Sequence, residues 1–208
     1  MGGEERVRRA SRWHRLAADG AIGLHEELRI GINISGLQLE HESFVSDVAA
    51  ALESSGAPSD RVVLELTEGT LMRRTSETLV RLHALKALGV QLAIDDFGTG
   101  YSSLSYLQRF PIDVLKVDKT FVEGIARSGG DGALARTIVA LGEMMKVRTL
   151  AEGIETQEQC DILAELGCKY GQGYFFAHPM PGSDVAGWAA GHASRCVNRG
   201  RQMKGRVA

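Results

Sequence analysis

Three apolar runs in this chain carry acids at or just beyond their C-terminal ends. Glu65 interrupts Val62-Val63-Leu64-Glu65-Leu66-Thr67 and Glu68 follows it. Asp95 and Asp96 come directly after Val90-Gln91-Leu92-Ala93-Ile94. Glu152 follows Val147-Arg148-Thr149-Leu150-Ala151, with Glu155 three residues on. Asn33 closes an earlier apolar run, and Gln172 lies in the last one. Carboxylates gathered in one cleft repel each other unless cations are present. An all-oxygen donor set without His or Cys favours Mg²⁺, Mn²⁺ or Ca²⁺ over Zn²⁺. The adjacent pair Asp95-Asp96 suits a two-metal site, where one carboxylate bridges ions about 4 Å apart. Lys116 is the one charge inside Val114-Leu115-Lys116-Val117, where a core-facing strand residue should be apolar. An ammonium there would balance the acids and orient a water. Asp118, two residues on and on the same face, is its expected partner.

Such convergence needs strands whose C-terminal ends open on one face. The apolar, β-branched runs fall at 28–34, 62–66, 90–94, 114–117, 147–151 and 169–174. Stretches of helical period lie between them, at 42–54, 75–88, 131–145 and 157–166. Leu79, Leu82, Leu85 and Leu88 recur at three-residue steps and should form one buried stripe. Strands alternating with helices predict βα units and a parallel sheet, whose carboxyl ends share one face. The rhythm suits an open doubly wound sheet or a barrel, and periodicity does not choose between them.

Composition removes several function classes. With 24 basic and 26 acidic residues the formal net charge is −2, which gives no general attraction to DNA, RNA or an anionic membrane. No apolar run is long enough to span a bilayer, and the first residues lack a secretory h-region. Cys160, Cys168 and Cys196 have no metal-ligand spacing and are odd in number, so a cytoplasmic location is expected. Residues 1–20 have helical spacing through Val7, Ala10, Trp13 and Leu16. The organisation expected is one domain over 1–190 and a basic tail over 191–208, a helix end or a disordered segment.

The order of motifs resembles one family. Asn33-Ile34-Ser35 with Gln38-Leu39 comes first, then Glu65-Leu66-Thr67-Glu68. The ten-residue run Asp95-Asp96-Phe97-Gly98-Thr99-Gly100-Tyr101-Ser102-Ser103-Leu104 follows, then Leu115-Lys116-Val117-Asp118. Ala151-Glu152-Gly153-Ile154-Glu155-Thr156 and Gln172-Gly173-Tyr174 complete the series. In this order, over roughly residues 7 to 190, they resemble the EAL-domain family of cyclic di-GMP phosphodiesterases.

The resemblance implies a TIM-like (β/α) barrel that hydrolyses cyclic di-GMP to linear pGpG with two Mg²⁺ or Mn²⁺ ions. It implies Asn33, Glu65, Asp95, Asp96 and Glu152 as metal ligands, and Lys116 as the residue that positions the attacking water. Glu155 and Gln172 match supports of the metal and water network. Glu68 matches the acid that steadies the loop after Asp96, and the loop 97–107 is implied in a homodimer. The family's name motif, Glu-Ala-Leu, carries a further metal-ligating Glu on the first strand. It does not occur in these residues, and Arg8–Trp13 looks like the helix before the second strand. The barrel is therefore expected to lack its first strand. At 208 residues the chain is about 40 short of the roughly 250 usual for a barrel. The alternative function is a catalytically inactive cyclic di-GMP receptor or interaction module.

Overall fold

The computed structural model describes residues 29–71, 75–99, 107–126, 131–185, 187–188 and 204–206. The helical reading of residues 1–20 and most of the loop 97–107 lie outside the described residues. Contacts divide the chain into two compact units. One comprises Met1–Glu65, Arg73–Leu92 and Met180–Gly200; the other comprises Leu66–Met72, Ala93–Pro179 and Arg201–Ala208. Within the second unit the strands follow one another in the sheet in chain order.

In the first unit, β1 (Ile30–Ile34) alternates, with Ile32 and Ile34 buried and Gly31 and Asn33 exposed. Ser35 then starts α1 (Gly36–Glu40) through a capping box, its side chain accepting from Gln38 N while the Gln38 side chain returns to the Ser35 backbone. The next helix, α2 (Phe44–Ser55), ends at Gly56. The strand β2 (Val62–Thr67) is buried from Val62 through Leu66, the continuous burial typical of a strand covered on both faces. The short α3 (Glu68–Leu71) belongs to the second unit, whereas α4 (Thr75–Ala87), next in the chain, is in the first and buries Thr78, Leu82 and Leu85. Leu79 and Leu88 are only half-buried, because a 3.6-residue turn rotates a strict three-residue step off the stripe.

The second unit carries the parallel strands β3 (Gln91–Phe97, from Ala93 onward), β4 (Val114–Val117), β5 (Arg148–Ala151) and β6 (Tyr170–Gln172). Each pairs with the next in parallel, as βα crossovers require. Helix α5 (Lys119–Glu123) follows β4, and α6 (Asp131–Met145) packs on β4 and β5. A Cβ on Gly142 would lie 2.3 Å from Thr149 Cγ2, so a residue without a side chain sets how closely α6 approaches the sheet. Helix α7 (Gln157–Glu165) starts at Thr156 with a second capping box and buries Cys160 and Leu163.

Two elements differ from expectation. β3 runs through Asp95 and Asp96 to Phe97 instead of stopping at Ile94. Lys204–Arg206, expected within a helix end or a disordered tail, form β7, parallel to β6 with Tyr170 opposite Lys204 and Gln172 opposite Arg206. Backbone pairing asks little of side-chain type, so a polar segment can complete an edge that β5 leaves open on the other side of β6. Among the described residues no helix is long and apolar enough to cross a membrane.

Candidate active site

The site of the second unit is built from the carboxyl ends of β3, β4, β5 and β6. Successive strand residues point to opposite faces, so adjacent Asp95 and Asp96 should diverge. The register of β3 against β4 shifts between Ile94 and Phe97, and Asp96 takes a left-handed φ of 53°. This irregularity turns both carboxylates toward one cluster, as a bulge does beside a functional site. Asp95, Asp96 and Glu152 offer carboxylate oxygens that all lie within 4.8 Å of one another.

Lys116 reaches this cluster from β4 with only 3% of its surface exposed. Its Nζ lies 2.7 Å from Asp95 Oδ1 and 2.7 Å from Glu152 Oε1. Gln172, at the end of β6, donates from Nε2 to the same Glu152 Oε1 at 2.7 Å. The Lys116 ammonium thus lies among the acids, and the ion pairs it makes there are with Asp95 and Glu152, where Asp118 had been expected. Asp118 has turned to the next element: it caps α5, accepting from Thr120 N at 2.9 Å. It also lies against Asp96. Burial raises the Asp96 carboxyl above its ordinary range, and the charges of Asp95 and Asp118 add to this. Burial acts upward on Asp118 as well, but the hydrogen bonds it accepts from Thr120 reverse that, and its pKa falls. Of the two, Asp96 is the one that takes a proton first.

The supports are local. Glu68, 4% exposed at the start of α3, accepts from Gly98 N at 3.0 Å. That bond holds the turn after Asp96, whose carbonyl also accepts from Thr99 Oγ1 at 2.8 Å. The 152–155 loop is fastened to the β6 loop by Ile154 N donating to Gln172 O and Phe175 N donating to Ile154 O, each at 3.0 Å. Glu155 is half exposed, and its carboxylate lies 3.9 Å from Lys119 Nζ. Asn33 is exposed on β1 and Glu65 is buried on β2, both in the first unit.

The donor set fits a divalent cation. Three carboxylates gather beside one ammonium, and like charges this close repel each other unless a cation lies among them. Hard oxygens suit Mg²⁺, Mn²⁺ or Ca²⁺. Two contributors had no sequence signal at all: the Lys119 stem packed on Gly153, and the zipper between the 152–155 and β6 loops. An aspartate directly before a helix is a favoured cap, and that role competes with a pairing of Asp118 to Lys116.

The sequence profile of the family described as EAL domain matches residues 5–179. A bifunctional diguanylate cyclase/cyclic di-GMP phosphodiesterase, MucR of Pseudomonas aeruginosa, is 41% identical over 183 residues, which cover 88% of this chain and 26% of MucR. The chain thus spans about a quarter of the length of that relative. The structure titled PaMucR phosphodiesterase in complex with c-di-GMP superposes with a TM-score of 0.82 at 42% identity, over 88% of this chain and 73% of that one. The manganese and cyclic di-GMP complex of Klebsiella pneumoniae BlrP1 gives a TM-score of 0.69 at 32% identity, over 86% of this chain and 46% of that one. The fold is the EAL-type β/α barrel, and the parallel sheet with its interleaved helices agrees with it. By the span of the profile match and the order of its site residues on the sheet, the chain belongs to the EAL-domain family.

Proposed function

We propose that this chain hydrolyses cyclic di-GMP to linear pGpG in a reaction that depends on Mg²⁺ or Mn²⁺. The observation that carries the reading is the convergence of Asp95, Asp96 and Glu152 on buried Lys116. The cyclic di-GMP bound in the MucR structure supports the substrate class. When bound, the divalent ions supply charge neutralisation for a phosphodiester and acidify a water toward neutrality.

The protein's own groups do the positioning. Asp95, Asp96 and Glu152 would hold the ions, two being the number expected. Lys116 keeps Asp95 and Glu152 at a fixed separation and brings a positive charge to the place where a water or a phosphate oxygen would bind. Gln172 fixes which oxygen of Glu152 faces the lysine. Glu68, through Gly98, keeps the backbone after Asp96 from relaxing out of its left-handed turn. Asn33 and Glu65 are further ligands, and Glu155 supports the water network, on the strength of the resemblance. A homodimer through the loop 97–107 belongs to the same reading.

The test is turnover by the purified chain with Mn²⁺ or Mg²⁺, followed by chromatography of the nucleotides. Formation of pGpG that stops with Asp95→Ala or Glu152→Ala is the expected result. Binding of cyclic di-GMP without any pGpG at high protein concentration would replace this reading with that of a receptor.

A further inference from the structure

The first turn of α5 sits between the two loops that carry the site's acids. Asp118 faces Asp96, while Lys119, the next residue, covers the other loop. Gly153 follows Glu152 directly and holds φ at +67°. A Cβ built on it would fall 2.4 Å from Lys119 Cβ and 3.0 Å from both Lys119 Cγ and Cδ. The aliphatic stem of Lys119 therefore lies flat on the bare Cα of Gly153. Its ammonium continues past the loop to Glu123 Oε1 at 3.2 Å and Glu155 Oε1 at 3.9 Å. On its other side the loop is held by the Ile154 and Phe175 backbone bonds to the β6 segment.

We propose that Lys119 is a positioning residue of the metal centre, whose stem clamps the 152–155 loop so that the Glu152 carboxylate stays in reach of Lys116, Gln172 and the cations. The stem carries this role, not the charge: Lys119 is 55% exposed, and ion pairs this exposed contribute little. A long side chain can cover surface with its methylenes while its head stays in water. The claim that the clamp serves metal binding rests on the phosphodiesterase reading; the clamp itself does not.

Two readouts separate them. Amide hydrogen exchange of the metal-free protein reports the loop directly, and Mn²⁺ titration by calorimetry reports the centre. Lys119→Ala removes the stem, whereas Lys119→Met keeps most of it and discards the charge. The expected result is faster exchange at Ile154 in Lys119→Ala, and Mn²⁺ affinity lower by about tenfold, the lower end for residues that orient a ligand. Lys119→Met should stay within about twofold of wild type in both, because the packed methylenes remain. Unchanged exchange in Lys119→Ala overturns the proposal, and so does Lys119→Met behaving like Lys119→Ala. A wild-type chain that binds no Mn²⁺ while Lys119→Ala still loosens Ile154 removes the phosphodiesterase reading and leaves the clamp standing.

Discussion

Glu152 Oε1 receives two donors, Lys116 Nζ and Gln172 Nε2, each at 2.7 Å. Lys116 Nζ lies between the part-buried carboxylates of Asp95 and Glu152, so removing its charge leaves those two groups facing each other without it. Breaking a buried pair by deleting one partner costs about 3–5 kcal/mol. Lys116→Met should therefore destabilise the metal-free protein by roughly that amount. Added Mn²⁺ should raise the melting temperature of the variant more than that of wild type, because the ion neutralises the same carboxylates. Equal Mn²⁺ increments in thermal melts would show that Lys116 does not share its partners with the metal. The buried thiols give a pH dependence. Burial above all pushes Cys160 and Cys168 upward from 9.0, so the folded protein retains protons that the unfolded chain releases. Their stabilising effect is complete below the unfolded value and is lost as pH rises through it. Urea midpoints should be flat in this respect near neutrality and decline above about pH 9, with Cys168→Ala showing a shallower decline.

At the scale of elements, the informative feature is where regular structure stops being regular. β3 carries its two aspartates only because its register slips beside β4. Gly173 follows β6 directly, and its φ of +150° is a region open essentially to glycine. A Cβ there would stand 2.2 Å from Ile154 O and 2.3 Å from Ile154 N, atoms of the loop that follows Glu152. Gly173→Ala must therefore push apart the two loops that hold Gln172 and Glu152. The expected outcome is a loss of about 3 kcal/mol or more in urea denaturation, together with loss of Mn²⁺ binding. A variant with wild-type stability and metal affinity would mean that the two loops are not coupled. The helix 131–145 and the strand 114–117 are matched to the residue, since periodicity over several turns, or a compact apolar run between polar neighbours, is a strong local signal. The short helices α1, α3 and α5 were not legible, because four or five residues carry too little periodicity to register.

For the molecule as a whole, the C-terminal segment is the part that changed status. Lys204–Arg206 pair with β6, the strand that ends in Gln172. Deleting 201–208 should expose that edge of β6 and speed amide exchange at Tyr170 and Gly171, with a lower melting temperature. Exchange and melting identical to the full chain would show that β7 adds nothing to the sheet.

The order of acids along the chain, their all-oxygen character and the single lysine inside an apolar strand were determined by sequence alone. These are properties of residue type and spacing, and they sufficed for the family and the class of chemistry. Which groups actually meet was decided only in three dimensions. Lys116 could have paired with Asp118 by strand alternation, but the start of α5 drew Asp118 into a cap and left Asp95 and Glu152 to the lysine. The stem of Lys119 on Gly153 has no counterpart in any motif. A contact between residues more than thirty positions apart depends on how two loops close against each other, and local patterning carries no record of that.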